Sequence, residues 1–320
     1  MKKKIILSLF LMAALSSCYK DYIEDFDYTA IYFPYQTDVR TFVVGEGMTI
    51  EVGAALAGVR DNTRDRLVNF TMDSKLITSN ILETMKNGSL HVKNGVAAVK
   101  QLLMLPGNYF TISSPSQMII KKGTYSGTVT IKVDSAAFLA DPATLNAGYV
   151  LPFYINSADA DSVAADKRYA VIGFRYDNML FGNYWHGGIT TVKDSTGKVI
   201  KTTNYYTTIP SPEIKVVNLT TIAPNALVTN LISDQKGSFK ITLDGTKITV
   251  SQAPGSKVVV LPDGESTFNR PKLLQDRKLF LKYKYANADG TTSYATDTLT
   301  FRNRIRDGVN EWQDENPSHY

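Results

Sequence analysis

Short alternations of apolar and polar residues, broken by Gly, Asn, Asp and Pro, run through most of this chain and predict many β-strands. Thr49-Ile50-Glu51-Val52 and Leu67-Val68-Asn69-Phe70-Thr71-Met72 put an apolar side chain at every second position, and in an extended chain those positions share one face. Further β-branched and aromatic runs lie at Tyr109-Phe110-Thr111-Ile112, Gln117-Met118-Ile119-Ile120, Thr128–Val133, Val150–Ile155 and Tyr169–Phe174. Ala30-Ile31-Tyr32-Phe33 reads as an edge strand that Pro34 ends, because proline cannot donate to a strand ladder. About eight strands in this stretch predict an immunoglobulin-like β-sandwich over residues 29–176. One helix is expected over Ser74–Met85, where Ile77, Ile81, Leu82 and Met85 share a face and Gly88 follows as a stop.

After Tyr176–Gly182 the pattern restarts. Asp244-Gly245 stands between two alternating runs, Phe239–Leu243 and Ile248–Val250, and Asp289-Gly290 stands between Leu279–Tyr285 and Tyr294–Phe301. Asp-Gly is favoured in two-residue hairpins because both central residues need φ above zero. Ser195-Thr196-Gly197 marks a third hairpin. Successive hairpins predict an antiparallel β-barrel or sandwich over residues 182–320. The expected fold class is all-β with two domains.

The first residues follow a different pattern. Met1-Lys2-Lys3-Lys4 is a basic start, and Ile5–Leu15 is an apolar run interrupted only by Ser8. A membrane-spanning helix needs roughly 20 apolar residues; these eleven suit the core of an export signal. Leu15-Ser16-Ser17-Cys18 then has the bacterial lipobox form, so residues 1–17 read as a lipoprotein signal peptide and Cys18 as the lipidated first residue. Cys18 is the single cysteine of the chain, which removes an internal disulfide from consideration. Several acyl chains, at about 0.8 kcal/mol per buried CH2, anchor a protein without a spanning helix. Residues 18–28 form an acidic tether that resembles those routing lipoproteins to the outer cell surface in Bacteroidetes-type bacteria. The expected location is therefore the outer membrane, lipid-anchored and surface-exposed.

Charge narrows the partner class. The formal charge is +5, and removal of residues 1–17 takes away three lysines and no acids. The mature chain is near +2, with no lysine or arginine cluster able to track phosphates, so nucleic acid is not an expected partner. The nearest approach, Arg302-Asn303-Arg304-Ile305-Arg306, is closely followed by Asp307 and Glu311.

Several segments together resemble a known family. They are Tyr32-Phe33-Pro34-Tyr35-Gln36, Gly123-Thr124-Tyr125-Ser126-Gly127, Phe138-Leu139-Ala140-Asp141-Pro142, Leu145–Pro152 and Asp166-Lys167-Arg168-Tyr169. This first half is similar to domain of unknown function 1735 of Bacteroidetes lipoproteins. The second half, from Gly182-Asn183-Tyr184-Trp185 to Arg306–Trp312, is similar to domain of unknown function 4361, which often follows it. The resemblance implies a surface lipoprotein associated with SusC/SusD-type glycan import, with a glycan and such a transporter as partners. Relatives carry lectin-like or glycosidase modules after the first domain; no glycosidase module is recognised here, and the family supplies no catalytic residues to transfer.

The residues themselves offer little catalytic chemistry. His91, His186 and His319 are not spaced with one another or with Cys18 as metal ligands, so no metal or cofactor is expected. Gly-x-Ser-x-Gly, the Walker loop and the dinucleotide glycine turn are missing. A spatial Ser-His-Asp triad stays open, with His186 as its best base. Asp159 and Asp161 could stand about 5–9.5 Å apart as a glycosidase pair, or could hold a calcium ion loosely, but Asp and Ser are also ordinary turn formers.

Aromatic residues are more informative. The chain has eighteen Tyr, two Trp and fourteen Phe, and flat aromatic faces with a polar edge stack well on the C–H faces of sugars. The candidate ligand-binding residues are Tyr184, Trp185, His186, Tyr205, Tyr206 and Trp312. In a strand one of two neighbours points inward, so either Tyr184 or Trp185 is equally a core residue, and Trp312 equally caps a barrel end. Tyr283 and Tyr285, in phase with Leu279 and Leu281, read as core. Asp134-Ser135-Ala136, Asp161-Ser162-Val163 and Asp297-Thr298-Leu299 have the form of an O-glycosylation sequon. The expected function is a non-catalytic surface lipoprotein that binds glycans beside an import system. A structural or adhesive protein that binds another protein is the alternative, and an unrecognised hydrolase a third reading.

Overall fold

The computed structural model describes residues 28–205 and 215–314. Cys18, the signal peptide, the tether up to residue 27, Tyr206 and His319 lie outside the described residues. The fold is mostly β.

Residues 30–177 form two facing sheets. One has the order Ser162–Val163, Ala30–Tyr32, Thr49–Ala57, Ser126–Val133, Phe110–Ile112. The other has the order Thr37–Val43, Tyr169–Asp177, Tyr149–Ala158, Arg66–Met72, Gln117–Ile120, with Leu103–Met104 added on Tyr149–Ala158. The first strand is divided between them. Ala30–Tyr32 runs antiparallel to Thr49–Ala57; past Pro34 the chain changes sheet, and Thr37–Val43 runs parallel to Tyr169–Asp177. The alternating positions fill the space between the sheets: Ile50, Val52 and Leu56 from one side, Val68, Phe70 and Phe153 from the other. Phe42 packs on Phe138 and Phe174 with centroids at 5.4 and 5.7 Å. Each such fully buried phenylalanine contributes about 1.5–3 kcal/mol through removal of its surface from water.

The expected helix over Ser74–Met85 is two pieces. A 3-10 turn occupies Ser74–Leu76 and an α-helix Ser79–Lys86, because Thr78 adopts an extended conformation and its hydroxyl accepts from the Ile81 N–H. A second helix, Leu90–Val96, follows where the sequence pattern gives no helix signal. It buries Val92 and Val96, one turn apart, and a Cβ at Gly95 would come within 2.8 Å of Val39, so glycine sets the close approach of helix to sheet. The two helices cover the outer face of the second sheet over Val39, Val150 and Val171. That double coverage explains why Tyr149–Ala158 and Tyr169–Asp177 read as apolar runs without clean alternation.

The second half is a closed barrel. Eight strands follow one another in chain order, each antiparallel to the next: Gly182–Lys193, Lys215–Ala223, Ala226–Thr229, Phe239–Asp244, Lys247–Gln252, Ser266–Phe268, Lys278–Ala286 and Thr292–Arg306. The last pairs with the first, Thr292–Asn303 against Asn183–Lys193, and closes the ring. Gly245 and Gly290 take φ of +63° and +81° at the two Asp-Gly turns, and Gly197 takes +86° where Val199–Tyr205 folds back on Gly182–Lys193. Side chains fill the interior, among them Tyr184, Leu219, Leu227, Ile241, Val250 and Leu281, as expected of an eight-stranded barrel, which is just wide enough for its own side chains or one small ligand.

The two halves interlock. Val43, at the end of its strand in the sandwich, packs in the barrel core with Leu180 and Phe181 of the connection. Beyond it, Gly45 and Gly47 take φ of +86° and +79° and carry Glu46 to the buried Arg277 and Arg304 of the barrel.

Candidate functional site

The aromatic candidates named from the sequence fall into different places. Along Gly182–Lys193 alternate side chains point inward, which buries Tyr184 and His186 and turns Trp185 outward. Tyr184 donates its hydroxyl to the Leu180 carbonyl at 3.1 Å and meets Phe301 edge-on. Its position is in the core, which corrects its reading as a ligand contact. Trp185 is half-buried under the guanidinium of Arg302, 4.7 Å from the ring centroid. Trp312 lies beyond the last strand and is 57 % exposed.

His186 is likewise interior, at 1 % exposure, and belongs to a polar network at the barrel wall. Its Nε2 stands 3.0 Å from Oδ2 of Asp297 but out of line, so neither ring nitrogen has a hydrogen-bond partner. Asp297 accepts instead from Tyr205 at 2.5 Å and Tyr283 at 2.6 Å, and the Thr190 hydroxyl lies 2.9 Å from that of Tyr205. Burial, then the Asp297 charge, pushes both tyrosine hydroxyls well above their ordinary range. Tyr205 therefore has its hydroxyl committed to the fold. Asp159 and Asp161 are also engaged: Asp159 pairs with Arg64 at 2.8 Å, and Asp161 accepts from the Thr29 N–H and hydroxyl. Among the described residues no three His, Cys, Asp or Glu side chains gather as a metal site would need.

A groove of about 820 Å3 opens where the two domains meet. Its sandwich wall is the edge strand Thr37–Val43, where Val39 is buried under the helices and Asp38 and Arg40 are partly exposed to the groove. The start of the helix Leu90–Val96 adds His91 and Asn94, and the end of Tyr169–Asp177 adds Arg175 and Asp177. The barrel wall is the turn Asp307-Gly308, which joins Thr292–Arg306 to Val309–Glu311. Tyr35 stands at the mouth and is 70 % exposed.

These polar groups hold one another. His91 Nε2 lies 2.9 Å from Asp38 Oδ1 and its Nδ1 3.1 Å from the Ser89 hydroxyl. Arg175 donates to Asp177 at 2.9 Å. Arg40 Nε and Asp307 Oδ2 face each other across the domain boundary at 3.5 Å, an ion pair without a hydrogen bond. Burial raises the Asp177 carboxyl above its usual range despite Arg175 and Thr221. Burial likewise raises Asp307 despite Arg40 and Thr41. The turn is sterically set: Asp307 and Gly308 take φ of +52° and +81°, and a Cβ on Gly308 would come 3.0 Å from His91 Nδ1. A second cavity of about 460 Å3 shares Arg40, Thr41, Asp307 and Val309 with the first.

Sequence reasoning missed this site. Asp38 and Arg40 lie on a strand with no clean alternation at its far end, Arg40-Thr41-Phe42-Val43. Asp307-Gly308 carries the same hairpin signal as the two recognised turns, and this was the one clue to the barrel wall.

Comparison with known proteins bears on the fold. A family model described as a "-like, N-terminal domain" matches residues 26–162. No curated protein matches the chain. A solved structure from Bacteroides ovatus, of unknown function, is 20 % identical, with a TM-score of 0.62. A second from the same organism, also of unknown function, has 14 % identity and a TM-score of 0.43, covering 89 % of this chain and 100 % of its own. A third from Bacteroides ovatus, whose description proposes carbohydrate binding, has 12 % identity and a TM-score of 0.29, covering 88 % of this chain and 71 % of its own. The last two are too dissimilar to carry an argument. The first match spans 90 % of this chain and 99 % of the other, so the chain shares its two-part β fold with a Bacteroides ovatus protein of unknown function.

Proposed function

We propose that this protein is a lipid-anchored, non-catalytic surface lipoprotein that captures glycans in the groove between its two domains. The observation that carries the reading is the placing of Tyr35, 70 % exposed, at the mouth of a groove lined by charged and amide side chains. An exposed aromatic face suits the C–H face of a sugar. Carboxylate, guanidinium and amide groups beside it suit hydroxyls, since ligand sites combine apolar area with a few placed polar groups. The lipobox ending at Cys18 supports the anchor, and the acidic tether supports outward display. The resemblance of both halves to lipoprotein domains found near SusC/SusD-type importers supports a glycan ligand and a transporter partner.

The test is binding of the soluble chain, residues 19–320, to a glycan array, with a Tyr35→Ala variant alongside. Binding that Tyr35→Ala removes supports the proposal; no binding to any glycan sinks it. A second reading, docking of another protein, is favoured by one feature: Leu90, Ile305 and Val309 are exposed along the same groove. Recovery of a stoichiometric protein partner from outer membranes, lost on Ile305→Asp, would favour that reading.

A further inference from the structure

We infer that the domain seam accepts an extended, uncharged glycan chain and turns away uronate- and sulfate-bearing ones; this rests on the glycan-binding reading above. The first part comes from shape. The cavities of about 820 and 460 Å3 share Arg40, Thr41, Asp307 and Val309, so the Arg40–Asp307 pair is a saddle between two halves of one path. Each half is of the size that holds a compact ligand. A molecule that fills both must be several rings long and must cross the saddle.

The second part comes from charge. Asp38, Asp177 and Asp307 line the first half, and Glu46, Glu51 and Glu311 the second. Three guanidiniums line the same path and each already has a carboxylate partner, while Arg277 and Arg304 stand behind Glu46 and Glu311. Arg40 faces Asp307 at 3.5 Å, Arg175 holds Asp177 at 2.9 Å, and Arg306 holds Glu311 at 2.6 Å. An anionic sugar therefore finds each of these guanidiniums engaged and gains a cation only by displacing a carboxylate from it. A hydroxyl does not face that cost, because it both donates and accepts. Asp307 Oδ1 and Arg40 Nε are buried and have no hydrogen-bond partner, so a hydroxyl can donate to the one and accept from the other once the contact opens. The Arg40–Asp307 contact is also the longest of the three and has no hydrogen bond, so it is the one that can open over a ligand.

Titration calorimetry on the detergent-solubilised lipoprotein tests this. The probes are neutral linear oligosaccharides from one to six sugars, and galacturonate and chondroitin sulfate oligosaccharides of matched length. The expected result is neutral binding that tightens about tenfold or more from the short to the long members, with acidic chains weaker by about tenfold or more. Glu51→Lys, at an exposed residue whose carboxylate accepts from the Thr128 hydroxyl at 3.3 Å, should strengthen uronate binding. Acidic chains that bind as tightly as neutral ones overturn the charge selectivity while leaving glycan capture intact. Affinity independent of length overturns the extended path. Binding of no glycan at all removes the underlying reading and this inference together.

Discussion

Glu46 of the sandwich and Arg304 of the barrel meet in a two-point contact across the domain boundary, with Nη2 to Oε2 at 2.7 Å and Nη1 to Oε1 at 2.9 Å. Arg277 adds a third contact to Oε1 at 3.0 Å, and both arginines are 1 % exposed. Burial alone would raise the Glu46 carboxyl, but the hydrogen bonds and charges of Arg304 and Arg277 outweigh it and hold it below the usual range. A planar carboxylate and a planar guanidinium make two parallel bonds that fix orientation as well as distance. This contact sets how the two walls of the groove face each other.

Glu46→Ala should therefore destabilise the whole protein. It leaves two buried guanidiniums short of a counter-charge, and breaking a buried pair this way costs about 3–5 kcal/mol. Urea denaturation would read the loss as a lower midpoint. A change of under about 1 kcal/mol, the range of a surface pair, would show that the contact is not the clamp described here.

Stability should peak at mildly acidic pH. Glu46 titrates below its ordinary value of 4.5 in the folded state, so its contribution is complete above that value and is lost as pH falls through the lowered one. Asp177 and Asp307 titrate above their ordinary 3.8, so they favour the folded state fully below that value and progressively less as pH rises through the raised ones. Thermal denaturation across a pH series should show both limbs. Asp307→Asn, which suits the left-handed φ of +52° at this position, should flatten the limb toward neutral pH; an unchanged slope would contradict the assignment.

The buried network predicts unequal tyrosines. Tyr149, held by Asp141 at 2.8 Å, is pushed up to about 12, and burial with the Asp297 charge pushes Tyr205 and Tyr283 well above their ordinary range. Tyrosinate absorbance on raising pH should leave these groups for last. Asp297→Ala strands the Tyr205 and Tyr283 hydroxyls in the barrel, and at about 1.5–3 kcal/mol for each hydrogen bond to a charged group it should destabilise by several kcal/mol. A mild effect would mean that water replaces the carboxylate.

Two tyrosines separate the groove from the barrel core. Tyr35→Ala should weaken glycan binding about tenfold or more, near 1.4 kcal/mol, without moving the melting temperature. Tyr184→Phe removes the bond to Leu180 and should cost about 1 kcal/mol of stability while leaving affinity unchanged. The reverse pattern in calorimetry and melting would move the site back to the barrel.

Gly308→Ala should act on both domains. The added Cβ faces a φ of +81° and lies 3.0 Å from His91 Nδ1. A cost of about 1–2 kcal/mol follows from the left-handed backbone alone, and the His91 resonances should shift in NMR spectra. If the histidine signals stay in place, the barrel turn does not press on the sandwich.

The parts legible in the sequence are those governed by near neighbours. Asp244-Gly245 and Asp289-Gly290 need only local backbone preferences to make hairpins, and both do. The alternation at Tyr184 and Trp185 left one of them inward, and Tyr184 is the one. The helix over Ser74–Met85 was half right, because the cap made by Thr78 competes locally with the apolar periodicity that suggested one longer helix. The helix Leu90–Val96 was hidden by its His91, Asn94 and Gly95, poor helix formers kept helical by packing on Val39.

Sequence alone thus determined the all-β character, the hairpins at Ser195-Thr196-Gly197, Asp244-Gly245 and Asp289-Gly290 and the expectation of a lipidated Cys18, since these depend on residues adjacent in the chain. Only the tertiary structure decided that the barrel closes, by pairing Gly182–Lys193 with Thr292–Arg306 more than a hundred residues away. It also decided that His186 is interior, and that Tyr35, Asp38 and Arg40 face Asp307. The reason is physical: closure and the groove are made by contacts between distant segments, and the energy of such contacts depends on burial and charge pairing that no local pattern of residues carries.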